Sequence, residues 1–594
     1  MNFNLIAKTK KLNNCQNFFE RASSFSRREE AYPKDIPTAF LLATGMALLS
    51  VGAHAQVAPD AGALQQQIDR SRSSSLPPKT LAPLPEAKTL PAATSGPVVK
   101  LKTINFSGNS LLSSEQLTSS VAPFLNRELD FNQLQAAAAA AAAAYRDAGW
   151  VVRSYLPQQD LADGTLIIQI VESVFGSVQV EGTVAKRIQL EKITQFIKTN
   201  QTSGAPLSAQ AMDRGLLLAD DLPGVAVTGT LRPGQNEREV DLALKLTDEK
   251  LLAGDAAIDN YGSRSTGFER LNANLAFASA WGGGELITTN LMHTQGSDYA
   301  RAGVTLPIGG HGWRLGFNAS SLRYKLISPE FDALESKGTA NTTGLEANYP
   351  LVRQRQRNLY FSATADHKIF DNQSSQQTIS HYTADVLSFG LSGNAFDNFG
   401  AGGSTSGNTA LSTGRVNLNG SPNQVADIQT AHTDGSFSKF RYAINRKQNL
   451  THNLVLLASM SGQIASKNLD SSEKFYLGGS SGVRAYPTSE GGGSTGMLAN
   501  LELNVRLSEG LSLNGFYDWG QVSINRNNFT GGATLNTYAL KGAGLGLSWQ
   551  NASGTSVRAT WARRIGDNPS PANGNDHDGS LVINRFWLTA SVNF

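Results

Sequence analysis

Residues 586–594 read FWLTASVNF, with an apolar or small residue at every second position and a phenylalanine at the C-terminus. This period of two places the alternating side chains on one face of a β-strand. A last strand that alternates in this way and ends on an aromatic residue is typical of outer-membrane β-barrels. The segment therefore predicts a membrane barrel, and we expect Phe594 to be the assembly signal read by the barrel assembly machinery.

The same texture extends upstream to residue 251, as short alternating segments separated by Gly, Asn, Ser and Asp. Of the 57 glycines, 43 fall in residues 251–594, and so do six of the seven tryptophans, which barrels place at the membrane interfaces. At roughly 20–22 residues for a strand and its turn, this region accommodates about 16 antiparallel strands. We therefore predict a transmembrane β-barrel over 251–594. Within it, residues 395–435 are rich in Gly, Ser, Asn and Thr and are expected to form a long cell-surface loop.

Composition narrows the function classes. Charged residues make up 17% of the chain, and 51 basic against 48 acidic residues leave a net charge of +3. This balance argues against a dedicated nucleic-acid binder, which presents a concentrated basic face. A helical membrane protein is excluded, because only one stretch near the N-terminus is apolar enough for a membrane helix.

That stretch, residues 39–51 (AFLLATGMALLSV), is short for a membrane helix and is followed by Ala53-His54-Ala55, a small-x-small cleavage pattern. It predicts a secretory signal peptide over residues 1–55, the alternative being a translation start further downstream. Cleavage would remove Cys15, the sole cysteine, so the exported chain would have neither disulfides nor cysteine metal sites. Export also disfavours a soluble all-β array as the alternative to a barrel.

The next segment, residues 56–72, includes a short polar helix predicted over residues 61–72. Residues 73–98 carry six prolines, which fix the backbone and remove hydrogen-bond donors, and so predict an extended linker. A disordered N-terminus of the exported chain is the alternative.

Residues 99–173 and 174–250 form two repeats with the order β-α-α-β-β. In the first, Asp130 and Gln133 predict a capped helix start, nine alanines (136–144) favour the helix, and Gly149 ends it. The predicted strands are 99–106, 151–156 and 165–171 in the first repeat, and 176–180, 225–231 and 239–247 in the second. The predicted helices are 113–125 and the one after Asp130, then 185–198 and 208–220.

Two motifs carry a family resemblance. Residues 475–487 (FYLGGSSGVRAYP) and 516–520 (FYDWG) resemble the signatures LGG…VRGY and FxDxG of two-partner secretion (TpsB) transporters, the ShlB/FhaC/HecB haemolysin secretion/activation family. This family belongs to the superfamily of the barrel-assembly protein BamA. Residues 156–161 (LPQQDL) and 259–264 (DNYGSR) add to the resemblance. One departure is Ala485, where the family has Gly; because Ala reaches positive φ less readily, we expect the loop tip to differ.

The resemblance implies an outer-membrane barrel preceded by two periplasmic POTRA domains, with residues 56–72 as a plug helix that occupies the pore at rest. It also implies that a loop carrying Val483, Arg484, Ala485 and Tyr486 folds back into the barrel. There Arg484 would meet Asp518 of the wall motif Phe516, Asp518 and Gly520. A guanidinium in a barrel lumen requires a carboxylate. The pair either braces the loop or controls transport through the loop's position.

By the same resemblance, the function is recognition and secretion of a large TpsA-type exoprotein, haemolysin- or adhesin-like, from the periplasm of a Gram-negative bacterium without nucleotide hydrolysis. Gln158 and Asp160 are candidates for substrate contact on the first repeat. Outer-membrane lipids and the assembly machinery are the other expected partners, and nucleic acid is not. The alternatives are a BamA- or TamA-type insertase, whose members usually carry more POTRA repeats, and a passive porin.

Other patterns indicate no chemistry. The eight histidines show no metal-ligand spacing, and Gly542-x-Gly544-x-Gly546 lacks the Lys-Ser/Thr of a phosphate loop. No G-x-S-x-G elbow with triad partners is present. We therefore expect no catalytic residue, cofactor or metal site, and the sequence does not identify the exported partner.

Overall fold

The computed structural model describes residues 58–71 and 98–594. The predicted signal peptide and nearly all of the predicted Pro-rich linker lie outside these residues. The first described stretch forms one helix, α1 (Ala61–Ser71). None of the helices in the two described ranges is long and apolar enough to cross a membrane.

The first repeat packs two helices on a three-stranded sheet. Its elements are β1 (Val99–Lys100), β2 (Thr103–Ser107), α2 (Ser114–Val121), β3 (Glu128–Leu129), α3 (Phe131–Asp147), β4 (Val152–Tyr155) and β5 (Thr165–Glu172). β2 runs parallel to β5, and β5 pairs antiparallel with β4, so β5, the last strand of the repeat, is central in the sheet. The predicted capping box of Asp130 and Gln133 is confirmed at the start of α3.

Two predicted elements of this repeat are wrong in extent. The strand expected over 99–106 is broken at Leu101, which is fully buried and whose carbonyl accepts a hydrogen bond from the Asn126 N–H at 2.9 Å. The helix expected over 113–125 ends at Val121 and continues as a 3-10 turn. Pro123 explains the end, because its nitrogen has no proton to donate to the preceding turn.

The second repeat has the same topology. It comprises β6 (Val174–Glu181), α4 (Leu190–Asn200), α5 (Ala209–Asp220), β7 (Val225–Pro233) and β8 (Glu239–Asp248), with β8 central, parallel to β6 and antiparallel to β7. Helix α4 begins five residues later than predicted. The backbone N–H groups of Lys186 and Arg187 donate to the Asp248 carboxylate at 3.1 Å, which holds this stretch as a loop.

Residues 252–593 close into a barrel of 16 antiparallel strands, as predicted. In chain order the elements are β9 (Leu252–Asp259), β10 (Arg270–Ala278), β11 (Leu286–Thr294), β12 (Ser297–Ile308), β13 (Trp313–Lys325), β14 (Lys337–Arg353), β15 (Arg357–Ser374), β16 (Gln377–Asp397), β17 (Gly403–Asn417), α6 (Gln424–Gln429), β18 (Gly435–Asn449), β19 (Leu454–Ala465), the short pair β20 (Phe475–Tyr476) and β21 (Gly492–Gly493), β22 (Thr495–Ser508), β23 (Leu511–Ser523), β24 (Thr537–Gln550), β25 (Thr555–Arg564) and β26 (Asn584–Asn593). β20 and β21 pair only with each other and are not part of the wall.

The barrel closes where β26 pairs with β9, from Thr589 opposite Asp259 to Asn593 opposite Asp255. Alternate side chains point outward, and large apolar ones such as Leu345 and Phe586 are exposed on that face. The second repeat docks on one rim of the barrel, the near rim. There Arg353 donates to both Asp221 oxygens at 2.7 Å, and Asn200 donates to the Gly310 carbonyl.

The long surface loop predicted within 395–435 is shorter than its predicted bounds, which are wrong for residues 403–417. Residues 403–417 are strand β17, hydrogen-bonded to β16 on one side and β18 on the other along its length. Pairing on both sides satisfies the hydrogen-bonding groups of the backbone, whichever side chains the strand carries. One face of the strand lines the lumen, where Ser and Asn are tolerated. Within 395–435, only residues 418–434 connect two strands on the far rim.

Two segments fill the lumen. Helix α1 lies inside the barrel against β13, β14 and β15, where Ala61, Leu64 and Ile68 join a buried apolar cluster with wall residues such as Leu322 and Phe370. The connection between β19 and β22, residues 466–494, starts at the far rim and folds inward. We call it the inward loop.

Candidate functional site: the lumen contacts of the inward loop and α1

Arg484, near the tip of the inward loop, binds two carboxylates of the barrel wall. Its Nε and Nη2 donate to the two oxygens of Asp518 at 3.0 and 2.8 Å, and its Nη1 donates to Glu502 Oε2 at 2.7 Å. Its backbone N–H donates to the same Asp518 at 3.0 Å. The Asp518 side chain is fully buried, and those of Arg484 and Glu502 are each 11% exposed. The arrangement is a bidentate ion pair with a second carboxylate alongside.

Neighbouring groups fix this ion pair in place. The Arg484 guanidinium carbon lies 3.3 Å from the ring centroid of Phe516. Asn500 bridges wall and loop, since its Nδ2 donates to Asp518 Oδ1 at 2.8 Å and to the Gly482 carbonyl at 3.1 Å. Trp587 of the last strand donates from Nε1 to the Arg484 carbonyl at 2.7 Å. The loop tip is thus attached to three wall strands.

The other residues of the loop motif pack rather than pair. Val483, Ala485 and Tyr486 are buried to within 1% of full burial and belong to one apolar cluster with Phe516. Gly520 leaves the space for this packing, because a Cβ there would lie 2.8 Å from Leu477 Cδ2.

Ala485 does not occupy the positive-φ region that was expected to distort the loop tip. The positive-φ residues of the inward loop are Gly479, Ser489 and Gly491. The Ala485 methyl group fits against the wall because residue 542, opposite it, is glycine: a Cβ at Gly542 would lie 2.7 Å from that of Ala485. The departure from the family pattern is therefore accommodated without strain.

Helix α1 is held partly by the same loop. Ser471 donates to both oxygens of Asp60, the residue before the helix, at 2.8 Å. Arg70, at the other end, donates to the Tyr476 carbonyl at 2.5 Å, and Ser489 donates to Gln67 at 3.1 Å. One wall contact adds to these, from the Ala61 N–H to Asn372 Oδ1 at 2.8 Å. The inward loop therefore contacts both the wall and α1.

The base of the inward loop is bound to the wall by a buried carboxylate. Glu473 accepts a hydrogen bond from Lys368 at 2.7 Å and another from Lys439, and all three side chains are mostly or fully buried. Gln463 donates to the Glu473 carbonyl at 3.0 Å. The loop is thus anchored at its base and at its tip, and α1 lies between.

The substrate-contact candidates lie elsewhere, on the first repeat. Gln158 and Asp160 are exposed in the connection after β4 and are not brought near Arg484. Between them, Gln159 hydrogen-bonds the backbone of Ile167 twice, accepting at 2.7 Å and donating at 2.9 Å. Gln159 thus occupies the edge of β5 beyond the end of β4.

A buried carboxylate holds the first repeat together. Glu172 accepts from the backbone N–H groups of Ser110 and Leu111 at 2.6 and 2.7 Å and from the Tyr145 hydroxyl at 2.8 Å. Burial opposes ionisation of Glu172, but the hydrogen bonds from Ser110, Leu111 and Tyr145 outweigh it and lower the pKa of Glu172. Burial, together with this carboxylate, raises the pKa of Tyr145. The role of this cluster is structural.

Phe594 lies at the barrel seam, where its backbone exchanges hydrogen bonds with Gly254 at 3.0 and 3.2 Å. Its ring is about half exposed. Within the described ranges, no group of three or more His, Cys, Asp or Glu side chains could hold a metal ion.

Sequence reasoning missed Glu502 and the contacts between α1 and the inward loop. Glu502 could have been found, because it faces the lumen in register with Phe516, next to the pair of Asn500 and Asp518. The α1 contacts gave no sequence signal, since they join residues about 400 positions apart through hydroxyl, amide and carbonyl groups.

Comparisons with known proteins agree with this geometry. A family model described as "Haemolysin secretion/activation protein ShlB/FhaC/HecB" matches residues 239–549, and one described as "POTRA domain, ShlB-type" matches residues 99–173. The heme/hemopexin transporter protein HuxB of Haemophilus influenzae is 24% identical over 490 residues, covering 81% of this chain and 84% of HuxB.

Two solved structures show a similar fold. The structure of CdiB from Escherichia coli superposes with a TM-score of 0.68 at 21% identity, covering 93% of this chain and all of that one. BamA from Haemophilus ducreyi lacking POTRA domains 1–3 superposes with a TM-score of 0.51 at 16% identity, covering 84% of this chain and all of that one.

Proposed function

Because the chain belongs to the ShlB/FhaC/HecB family of haemolysin secretion/activation proteins, it is an outer-membrane two-partner secretion transporter, and we propose that its lumen is the path of the exported protein. In this proposal α1 closes the path at rest as a plug. The observation that carries it is that α1 lies in the lumen and is held there by the same loop that Arg484 anchors to the wall. We call α1 the plug helix from here on.

Transport requires two events in this proposal. An extended segment of the exoprotein first binds the periplasmic repeats, at a free sheet edge or in a groove between helix and strand. Gln158 and Asp160 are the candidate contacts, being exposed polar residues beside the edge that Gln159 blocks. The plug helix then leaves the lumen, and the exoprotein threads outward unfolded.

We propose that no nucleotide or cofactor is used and that the protein catalyses no covalent reaction. Folding of the exoprotein outside would bias its movement, because a folded segment does not return through the pore. A passenger variant unable to fold is expected to cross more slowly than the wild type. Equal crossing rates would contradict this part of the proposal.

The class of exoprotein follows from the family rather than from any one relative. HuxB is named for heme and hemopexin, and this chain matches it at 24% identity. We propose a large haemolysin- or adhesin-like partner. Outer-membrane lipids would contact the exposed apolar side chains of the wall, such as Leu345 and Leu501. The assembly machinery would read Phe594 during insertion.

The experiment that tests the receptor role removes residues 99–173 from the full chain. Secretion is expected to stop, while the barrel still inserts and conducts ions in planar bilayers. The paired change Gln158→Ala and Asp160→Ala, with Glu128→Ala at an exposed site of the same repeat as control, separates local contacts from loss of the whole repeat. Secretion at the normal rate after the deletion would show that substrate binds elsewhere.

A barrel insertase of the BamA type is the second candidate. A helix that fills the lumen disfavours it, because insertion of strands does not need a closed protein-conducting pore. An insertase would be revealed by assembly defects of other barrels in a strain that lacks this protein.

A further inference from the structure

Four polar atoms on the inner wall have no hydrogen-bond partner among the described residues. They are Tyr299 OH, Asn318 Oδ1, Ser320 Oγ and Thr342 Oγ1. Each of these residues is at least nine-tenths buried, at 4–6% exposure. Buried polar groups are paired in the great majority of cases, so four unpaired ones within one wall point to a partner that binds there.

The four residues form one continuous patch on strands β12, β13 and β14. Ser320 lies directly opposite Thr342 on one neighbouring strand and opposite Arg301 on the other. Asn318 is two residues along the same strand and therefore on the same face. Tyr299 pairs with Leu322, two residues beyond Ser320 in the other direction. We call these four residues the polar strip.

Glycines on both sides give the Asn318 amide lateral room. Gly303 and Gly344 lie opposite it on the two neighbouring strands. A Cβ at Gly344 would lie 2.3 Å from Asp366 Oδ1 and 3.0 Å from Asn318 Oδ1, so the glycine makes room for both side chains.

The plug helix packs on the strands of the polar strip but does not satisfy them. It contacts β13 and β14, and its Leu64 and Ile68 join the apolar cluster that includes Tyr299. Gln65 of the helix is also buried, and its Oε1 has no partner among the described residues either. Unsatisfied polar groups on the wall beneath the helix weaken the binding of the helix to this wall.

The strip continues into open space. A cavity of about 1020 Å³ lies beside the plug helix and is lined by Tyr299 and Asn318 together with Ile68 of the helix. Further amides line the same cavity, from Asn272, Asn274 and Asn290, alongside charged side chains: Asp255, Asp259, Arg270, Arg301 and Glu346. The polar strip is therefore the covered end of a longer polar surface that runs along the lumen.

We propose that the polar strip is a binding track for the extended backbone of the exported polypeptide, and that the plug helix covers it at rest. Hydroxyl and amide groups both donate and accept, so they can pair with the N–H and C=O groups of any extended chain without reading its side chains. The plug helix pairs most of its backbone groups internally, apart from those at its ends such as the Ala61 N–H, and therefore has few left to bind the strip. This inference rests on the proposed function, because it requires that a polypeptide passes through the lumen.

The test uses single-channel recording of the full-length protein in planar bilayers, with an uncharged unstructured peptide of about 30 Gly, Ser and Asn residues on the POTRA side. The triple variant Asn318→Leu, Ser320→Ala and Thr342→Val removes three groups of the strip. The duration of peptide blockades during open periods is expected to fall about tenfold, while the open conductance without peptide changes little.

The matched control is Ser388→Ala with Ser412→Ala. These lumen hydroxyls hydrogen-bond each other at 2.7 Å and are not part of the polar strip, so blockade durations are expected to match the wild type. A conservative pair, Ser320→Thr with Thr342→Ser, keeps both hydroxyls and is expected to retain long blockades. If the triple variant fails to insert, Ser320→Ala alone is expected to shorten the blockades about threefold.

Each outcome decides something. Shorter blockades in the strip variants, with the control unchanged, support the track. Unchanged blockades in the strip variants overturn the track but leave the secretion pore standing. If the peptide never blocks the open wild-type channel, both the track and the proposed polypeptide path are wrong.

Discussion

The tip of the inward loop and the plug helix are both held inside one barrel, but by contacts of different kinds. Arg484 meets two wall carboxylates, and breaking the contact would leave the fully buried Asp518 unpaired, at a cost of about 3–5 kcal/mol in a dry site. Arg70 of the plug helix instead meets main-chain carbonyls, and Asp60 meets a hydroxyl. Water can replace such neutral partners when the helix leaves.

This difference in contacts agrees with separate roles for the loop tip and the plug helix in the proposed function. In the proposed function, the loop tip stays on the wall, whereas the plug helix closes the pore at rest and leaves it during transport. The unpaired atoms of the polar strip fit this contrast, because they lower the affinity of the wall for the helix. Four changes to the chain test the contrast.

The largest effect is expected from making the plug helix permanent. A Cβ at Gly62 would lie 2.5 Å from Ser471 Oγ, so the paired change Gly62→Cys and Ser471→Cys places two thiols within disulfide reach. Cys15 is the sole native cysteine and falls in the predicted signal peptide. Oxidation is expected to abolish secretion and ion conductance, and reduction to restore both.

The single variants Gly62→Cys and Ser471→Cys are the controls and are expected to be insensitive to oxidation. If the oxidised double variant secretes normally, departure of the plug helix is not required for transport.

The second change loosens the permanent segment. Arg484→Ala leaves Asp518 and Glu502 without their cation, so the loop tip is expected to detach and secretion to fall by about tenfold or more. The barrel is still expected to insert, which heat-dependent mobility in gels would show. Arg506→Ala, at an exposed site on β22, the strand that carries Glu502, is the control. Normal secretion by the Arg484 variant would leave the pair with no role in transport.

The third change weakens the plug helix slightly. Ser471→Ala removes the hydroxyl that donates to the Asp60 carboxylate, a loss of about 1.5 kcal/mol, so the channel is expected to open about ten times more often in planar bilayers. Ser466→Ala, in the same loop, removes a hydroxyl that accepts from the Ser438 backbone and should leave opening unchanged. An unchanged opening frequency in the Ser471 variant would place the restraint on the helix elsewhere.

The smallest effect is expected at the last strand. Trp587→Phe keeps the ring but removes the donor to the Arg484 carbonyl, a neutral hydrogen bond among several that hold the tip. Secretion is expected to fall about twofold. Trp549→Phe, at an exposed site on the outer face, is the comparison. A loss as large as that of Arg484→Ala would mean that Trp587, rather than the ion pair, holds the loop.

Local patterns predicted the regular elements of the molecule well. The capped start of α3 at Asp130 and the order of elements along both repeats follow from short-range signals. They failed where a distant contact overrides local preference, as at Leu101, which turns into the core and breaks the predicted strand. They failed again over 403–417, because strand pairing on both sides tolerates a composition that is typical of loops.

A barrel of about 16 antiparallel strands behind two α/β repeats could be predicted from the sequence, because a period of two, glycine-rich turns and repeated element order are properties of neighbouring residues. The two family motifs also predicted the contact between Arg484 and Asp518. The three-dimensional fold was needed to reveal that Glu502 shares the guanidinium, that the inward loop holds the plug helix, and that the atoms of the polar strip have no partner among the described residues. The contacts of the plug helix with the inward loop join residues about 400 positions apart, which meet because both segments lie in the lumen of the barrel.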